Sequence, residues 1–354
     1  MLFKSRTQSF TDPFMQSTSP LPIAIVGLNF GRHIIDQIVS GKDAAHVRLV
    51  AVCDMDKAKA DAMAAKQGVK AYYDIDALLA DPSIPTIGLF TGPVGRAALL
   101  GRILRAGKDV ITTKPFETDP DAALAVLREA KTLGRVLHLN SPAPTPPEDL
   151  AQILSWVNGY KLGAPVGVRA DVWANYREAA DGTWYDDPAK CPVAPVFRLG
   201  IYLINDLIQL FGPVADVSVF QSRLFTGRPT ADNGQLSLRF ENGALGNIFA
   251  SFCINDGDHY RNTLVLNYEN GTIYRNAGPD RGGSLSELSL VMNRDGRRQV
   301  VARTIAGESS GGYQWGVFAR AVRGEKLAHE TTPEQIVAGL RVVNAMTKVA
   351  TTLG

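Results

Sequence analysis

The chain has 354 residues, of which 45% are apolar and 20% charged, and its formal net charge is +2. This length suits two domains of ordinary globular composition. The scattered charges give no sign of a nucleic-acid partner, and no apolar run reaches the ~18 residues that a membrane span needs. The three cysteines lack metal spacing, so we expect no metal site and a reduced, cytoplasmic protein.

The first 20 residues are rich in Ser, Thr, Gln and Pro and contain neither a twin arginine nor an apolar signal core. We interpret residues 1–20 as a flexible N-terminal arm. A cofactor clamp is the alternative role for such an arm.

From residue 21 to about residue 140, apolar strands alternate with helical segments. The predicted strands are Ile23–Leu28, Val47–Asp54, Thr86–Thr91, Asp109–Thr113 and Val136–Asn140. The predicted helices are Phe30–Ser40, Asp56–Gln67, Val94–Ala106 and Asp119–Leu133. This alternation predicts a doubly wound, parallel Rossmann sheet in a dinucleotide-binding domain over residues 21–142. The Pro-rich stretch Ser141–Pro147 marks its boundary.

The first strand, turn and helix contain a variant of the glycine pattern of dinucleotide-binding sites. Gly27 is expected to make the turn and Gly31 to let the helix approach the strand, while Asn29 stands where the middle glycine is usual. The backbone N–H groups near Asn29 and Phe30 would face a pyrophosphate. Asp54, at the end of the second strand, would bind both ribose hydroxyls and repel a 2′-phosphate. The pattern therefore favours NAD over NADP.

Residues 143–330 predict a different domain. After a helix at Pro147–Asn158, period-two strands are joined by Asn-Gly or Asp-Gly turns at Asn242–Gly243, Asn270–Gly271 and Asp295–Gly296. They indicate an α+β domain with a large, mostly antiparallel open sheet. Such a sheet has to cover its free face, so we expect a homodimer or homotetramer formed through it. The last segment, residues 331–354, predicts a helix that packs back on the body.

Two segments of the chain carry candidate catalytic groups. Lys114 follows a strand of the Rossmann sheet, where ligands of such sheets bind; an exposed loop lysine is the alternative. Tyr202 and Asn205 share one face of the apolar helix predicted at Phe197–Phe211, with Arg198 one turn earlier. A polar ligand would satisfy these groups; the alternative is a core tyrosine bonded to backbone, which is the commoner fate of a buried tyrosine.

Trp173, Tyr176 and Arg177 follow the first strand of the second domain. An aromatic ring and a guanidinium at a cleft edge suit a sugar, although ordinary packing also explains them. His138 is expected to be a core residue and His259 a solvated loop residue.

These motifs resemble the glucose–fructose oxidoreductase and inositol dehydrogenase (Gfo/Idh/MocA) family over nearly all of the chain after residue 21. The stretch Arg105–Glu117 is similar to the strand-five signature that contains Lys-Pro, and Gly200-Ile-Tyr-Leu-Ile-Asn205 looks most like the glucose–fructose oxidoreductase and dihydrodiol dehydrogenase branch. The resemblance implies that Lys114 and Tyr202 are a catalytic pair. It also implies cofactor contacts at Thr91, Pro93, Arg96, Thr113 and Lys114.

The chain departs from the family pattern at several of these positions. Thr113 replaces a glutamate, Pro192–Ala194 replace three glycines, and Arg198 replaces an aspartate. The reversed charge suggests a substrate carboxylate facing Arg198. The alternative is that Arg198 pairs internally, with Asp186 or Asp187.

The expected function is therefore an NAD-dependent oxidoreductase acting on a secondary alcohol or carbonyl of a sugar, sugar acid, cyclitol or cyclic diol. Tyr202 would transfer the hydroxyl proton while cationic Lys114 lowers the pKa of Tyr202, and Arg198, Asn205, Trp173 and Arg177 would position the substrate. Two alternatives stay open. One is an inactive nucleotide-binding regulatory protein of the same fold, and the other is an oxidoreductase that never releases its nucleotide.

Overall fold

The structure is a computed structural model that describes residues 19–257, 259–278, 286–307, 311–327 and 330–350. Nearly all of the predicted N-terminal arm, and the end of the last predicted segment, lie outside the described residues. Within the described ranges, no helix is long and apolar enough to cross a membrane.

The first half of the chain forms a parallel sheet of six strands. These are β1 (Leu21–Val26), β2 (Val47–Cys53), β3 (Lys70–Tyr72), β4 (Thr86–Leu89), β5 (Asp109–Thr112) and β6 (Leu137–Leu139). Their order is β3-β2-β1-β4-β5-β6. The helices between them are α1 (Leu28–Ser40), α2 (Lys57–Gln67), α3 (Ile75–Leu79), α4 (Arg96–Arg105) and α5 (Pro120–Thr132), with a 3-10 turn at Lys42–Ala45. The predicted doubly wound sheet is confirmed.

The strand β3 and the helix α3, which have only three and five residues, were not predicted from the sequence. Segments this short carry too few residues for a strand or helix period to be recognised. Leu28 was expected to end the first strand, but it begins α1 because Gly27, at φ 86°, already turns the chain.

The second half forms a sheet of eight strands with helices around it. The strands are β7 (Pro165–Trp173), β8 (Val214–Ser222), β9 (Asn233–Phe240), β10 (Leu245–Ser251), β11 (Arg261–Tyr268), β12 (Gly271–Arg275), β13 (Ser286–Arg294) and β14 (Arg297–Ala306). Their order is β14-β13-β12-β11-β7-β10-β9-β8, and only the β7–β10 pair is parallel. The predicted mostly antiparallel sheet is confirmed, and the three predicted turns join β9 to β10, β11 to β12 and β13 to β14.

The helices of this half are α6 (Glu148–Gly159), α7 (Ile201–Phe211), α8 (Trp315–Val322) and α9 (Pro333–Val349). A 3-10 turn covers Trp184–Asp186, and one π-helical turn, Val196–Gly200, leads directly into α7. The helix predicted at Phe197–Phe211 is thus two kinds of helix in succession.

The two halves share their cores. Trp315 and Phe318 of α8 are buried against β1 and α1, although α8 lies inside the stretch predicted as the second domain. The helix α9 packs against both α5 and α7. The body is therefore held together by chain segments that return to the first sheet after the second sheet is complete.

A buried ion cluster fixes α6 and α7 on the second sheet. The Arg275 guanidinium on β12 donates to carboxylates of Asp149 on α6 at 2.9 Å and Asp206 on α7 at 3.0 Å. All three side chains are at most 2% exposed. Because breaking a buried ion pair strands an uncompensated charge, this cluster sets the position of α7.

Candidate active site

A cleft of about 1480 Å³ lies at the carboxyl ends of the first-sheet strands, facing residues of the second half. The predicted site residues that line it are Gly27, Asn29, Phe30, Asp54, Thr91, Pro93, Arg96, Thr113, Lys114, Arg198 and Tyr202. Such a volume is large enough for a dinucleotide fragment together with a small substrate.

One end of the cleft is built by the glycine turn. A Cβ atom on Gly27 would lie 2.9 Å from the Phe90 carbonyl oxygen, and one on Gly31 would lie 2.8 Å from Ile25 Cγ2. Both positions therefore require glycine, as predicted. The N-cap residue of α1, Gly27, gives the helix no side-chain cap. The Leu28 N–H is taken by Asp54 and the Gly31 N–H by the Gly27 carbonyl, so the N–H groups of Asn29 and Phe30, at the positive end of the helix dipole, are the ones that could bind an anion such as a pyrophosphate.

Asp54 lies beside this turn. Its carboxylate accepts from the backbone N–H of Leu28 at 2.8 Å and from that of Asp56 at 3.0 Å. Asp56, not Asp54, caps α2 by accepting from the Lys59 N–H. Lys59 also donates to the Asn29 side-chain oxygen at 3.0 Å. This end of the cleft thus combines a fixed carboxylate with a nearby cation.

Arg96 lies in the cleft wall, but its guanidinium is hydrogen-bonded to other parts of the protein. It is 3% exposed, and its guanidinium donates to the carbonyls of Thr91, Gly92, Thr113 and Pro115. Burial lowers the pKa of Arg96 to about 10, so it stays charged at neutral pH. Its role here is to tie the loop after β4 to the loop after β5.

Lys114 lies at the floor of the cleft, directly after β5. Its backbone N–H donates to the Asn140 side-chain oxygen at 2.9 Å, and its Nζ donates to the Arg198 carbonyl. The Nζ atom is 4.3 Å from the centroid of the Tyr202 ring. Burial, and next the charge of Arg198, lower the pKa of Lys114 to about 7.

The Arg198 carbonyl that accepts from Lys114 Nζ belongs to the π-helical turn Val196–Gly200. Turns of this kind occur often at functional sites.

The Tyr202 hydroxyl accepts from Asn140 Nδ2 at 3.3 Å, and the same amide group donates to the Gly311 carbonyl at 3.0 Å. Gly311, at φ 100°, packs on the tyrosine ring, and a Cβ there would lie 2.8 Å from Tyr202 Cε1. Burial raises the pKa of Tyr202 well above its usual value, with Tyr313 and Tyr260 adding to the effect. The expectation that Lys114 lowers this pKa is thus wrong, because Lys114 stacks on the ring face and burial dominates.

Arg198 is paired internally, but with neither of the predicted partners. Its guanidinium donates to both carboxylate oxygens of Glu178, at 2.6 and 2.9 Å. Asp186 instead pairs with Arg228 at 2.6 Å, and Asp187 pairs with Lys190 at 2.9 Å. Glu178 lies in the loop after β7, where no sequence pattern linked it to Arg198.

Three predicted substrate residues lie outside the cleft lining. Asn205 donates to the Ser141 hydroxyl at 2.9 Å and packs against Gly339 of α9, where any side chain would collide with it. Trp173 contacts Asp256 and Arg261, and Arg177 donates to the Cys253 carbonyl at 3.0 Å while its guanidinium lies against the Phe225 ring. Each of these three side chains thus finds its hydrogen-bonding partners within the protein.

Besides Tyr202, the aromatic side chains that line the cleft include Tyr176, Trp184, Tyr185 and Tyr260. Tyr176 was named from the sequence as an aromatic at a cleft edge. The role of Asn140 was not predicted, although a polar residue at the carboxyl end of a strand is a recognisable signal. His138 is buried as expected and bonds the Tyr313 carbonyl through Nε2. His259 is exposed, and the described residues hold no cluster suited to a metal ion.

Two family models match the chain. The NAD-binding Rossmann-fold domain of the GFO/IDH/MocA oxidoreductase family matches residues 21–141, and the GFO/IDH/MocA C-terminal domain matches residues 150–274. An inositol 2-dehydrogenase from Rhodococcus erythropolis is 31% identical over 35% of this chain and 36% of its own length. The curated relatives match over only 36–40% of their length.

Solved structures share the fold over nearly the whole chain. An oxidoreductase from Desulfitobacterium hafniense, described as NADPH-dependent, has a TM-score of 0.74 at 18% identity and covers 94% of this chain and 96% of its own. An oxidoreductase from Agrobacterium radiobacter, in complex with NAD⁺, L-tartaric acid and magnesium, has a TM-score of 0.69 at 17% identity over the same shares of the two chains.

Proposed function

The chain belongs to the GFO/IDH/MocA family of NAD-binding oxidoreductases, and on this premise we propose that it is a dehydrogenase or reductase of sugar-like secondary alcohols. The observation that carries the proposal is the meeting of Lys114 and Tyr202 at the floor of the cleft that also contains the Gly27 turn.

The cofactor would bind at the glycine-turn end. The backbone N–H groups of Asn29 and Phe30 in the first turn of α1 would hold the pyrophosphate, and Asp54 would accept the ribose hydroxyls. Because a carboxylate repels a 2′-phosphate, we propose NAD rather than NADP as the cofactor. When bound, the nicotinamide would accept or supply the hydride.

The chain's own contribution is proton transfer and orientation. A lysine whose pKa is near 7 exchanges a proton readily at neutral pH, which suits a general base. We therefore assign to Lys114 Nζ the proton that leaves the substrate hydroxyl during oxidation. Tyr202, kept a neutral phenol by its raised pKa, would donate a hydrogen bond to the substrate oxygen.

The aromatic lining supports a sugar or cyclitol as substrate. Apolar faces of sugar rings stack on aromatic side chains, and the phenol hydroxyls of Tyr176 and Tyr260 supply hydrogen-bonding groups. The relative that acts on inositol and the structure with bound tartrate agree with a hydroxylated small molecule.

The test is to offer sugars, sugar acids and cyclitols to the purified protein with NAD⁺ or NADP⁺ and to follow the absorbance of reduced nicotinamide. We expect reduction with at least one polyol class. Tyr202→Phe should lower kcat by about 10²-fold with nucleotide affinity unchanged, whereas Tyr274→Phe, on the second sheet, serves as the matched control. A fully active Tyr202→Phe protein would remove Tyr202 from the mechanism.

A different result would favour the regulatory alternative. If nucleotide quenches tryptophan fluorescence but no polyol is oxidised, the chain binds the dinucleotide without using it for catalysis. Trp184 lines the cleft and provides the fluorescent reporter.

We also propose that the protein is a homodimer or homotetramer formed through the second sheet. Phe220, Leu245 and Ile305 of this sheet are 61–69% exposed, and apolar side chains exposed to this degree favour burial against a second copy. Light scattering on the purified protein measures the subunit number.

A further inference from the structure

The substrate end of the cleft contains a network of five charged side chains. Glu178 accepts from Arg198 in a bidentate pair and from Arg228 at 3.0 Å. Arg228 also pairs with Asp181 at 2.9 Å and Asp186 at 2.6 Å. All of these residues except Asp186 line the cleft.

The carboxylates outnumber the guanidinium groups in this network by three to two. Glu178 is the one member that contacts Arg198, since Asp181 and Asp186 reach only Arg228. The pairing also stabilises the ionised acid, because Arg198 and Arg228 hold the pKa of Glu178 below its usual value despite its burial. Arg198 is therefore neutralised by a permanent carboxylate.

Aromatic rings hold the Arg198 guanidinium in place. It lies 4.0 Å from the centroid of the Tyr185 ring and 4.6 Å from that of Phe252, and its side chain is 11% exposed. Stacked arginines keep their orientation. If Glu178 lost its charge, Arg198 would remain where it is, as an unpaired cation at the substrate end.

We propose that Glu178 is a specificity-determining residue, which occupies Arg198 and so excludes substrates that carry a carboxylate. The inference rests on the proposed function, because it treats this end of the cleft as the substrate site. It reverses the expectation from sequence that Arg198 selects an anion. An incoming carboxylate meets an excess of negative charge and finds no free guanidinium, whereas a neutral polyol pays neither penalty.

The experiment compares D-glucose with D-glucuronate, which differ by one carboxylate, using NAD⁺ and the full-length protein. The wild type should favour glucose. Glu178→Gln keeps the shape of the side chain but removes its charge, so the glucuronate-to-glucose ratio of kcat/KM should rise at least about tenfold. A wild type that prefers glucuronate would overturn the proposal without any variant.

Two further variants test whether Arg198 causes the rise in the glucuronate-to-glucose ratio. Asp181→Asn removes one negative charge from the same network but leaves Arg198 paired, so the ratio should move far less than in Glu178→Gln. Replacing Arg198 by Met in the Glu178→Gln background should abolish the gain. An equal shift in Asp181→Asn would mean that only the net charge matters, and the role of Glu178 would be rejected.

Binding separates the failure of this inference from the failure of the proposed function. If the wild type oxidises neither sugar, glucuronate is titrated against tryptophan fluorescence in the presence of NAD⁺. Tighter binding to Glu178→Gln than to the wild type supports the inference even without turnover, and equal binding refutes it. Turnover of glucose with an unchanged ratio in Glu178→Gln refutes the inference and leaves the dehydrogenase intact.

Discussion

The two ends of the cleft are built in different ways. At the nucleotide end, Gly27, Gly31 and Asp54 belong to one continuous strand–turn–helix–strand unit, residues 21–54. At the substrate end, Arg198 and Arg228 both pair with Glu178, from which they are 20 and 50 positions away in the chain. A local unit can be recognised from spacing, whereas a site assembled from loops depends on how those loops pack.

Lys114 lies between the nucleotide end and the substrate end of the cleft. Its substitution should have the largest effect on turnover. Lys114→Met takes away the proposed proton acceptor, so kcat should fall by about 10³-fold while nucleotide affinity changes little. Stopped-flow or steady-state measurement of nicotinamide reduction gives kcat, and fluorescence titration gives the nucleotide Kd. Equal losses in both would make Lys114 a nucleotide ligand instead.

The pH dependence of the rate tests whether Lys114 acts as a neutral base or as a cation. Because its pKa is lowered to about 7, the neutral amine becomes the main form above that pH. The rate of alcohol oxidation should rise with pH through about 7, and that of carbonyl reduction should fall. Lys114→Arg stays cationic and should lose both the activity and this limb of the profile. Oxidation that declines above pH 7 would instead assign Lys114 a cationic, orienting role.

Asp54 tests the nucleotide end with an effect of intermediate size. Asp54→Asn removes the charge that repels a 2′-phosphate, so the NAD-to-NADP preference in kcat/KM should fall by about tenfold. Asp56→Asn is the matched control, since Asp56 caps α2 from the same turn. If the wild type already prefers NADP, the proposal that Asp54 repels the 2′-phosphate is wrong.

Gly311 gives the smallest predicted effect and tests the support of Tyr202. Gly311→Ala strains a residue at φ 100° and pushes a Cβ against the tyrosine ring. We expect a loss of about 1–2 kcal/mol in unfolding free energy and a several-fold loss of kcat.

The control for Gly311 is Gly324→Ala. Gly324 has φ 83° but nothing within 4 Å of an added Cβ. This variant should lose stability while keeping its activity, as measured by thermal unfolding and turnover side by side. Equal activity losses in the two variants would show that the packing of Gly311 on Tyr202 is not what matters.

Much of the fold follows from patterns that are local in the chain. The alternation of strands and helices, the period of two in β9, β11 and β13, and the Asn-Gly and Asp-Gly turns each need only a few neighbouring residues. Elements too short to show a period, such as Lys70–Tyr72, were not predicted. The placement of α8 was also unpredictable, because any apolar helix can pack on either sheet.

The candidate site was predicted only in part. Lys114 and Tyr202 were named as a pair from the family resemblance. Asn205 was assigned to the substrate, but its side chain contacts Gly339 of α9 and donates to Ser141 instead. Glu178 could not be found, since ion pairs between distant loops leave no periodic trace in a sequence.

The sequence by itself determined the two kinds of sheet and the glycine turn beside Asp54, and the family resemblance singled out Lys114 and Tyr202. The tertiary structure decided the charge of the substrate end, the direction in which the pKa values of Lys114 and Tyr202 move, and the return of α8 to the first sheet. The physical reason is range. Backbone conformation and hydrophobic period are properties of neighbouring residues, whereas burial and ion pairing arise only when distant segments are packed together.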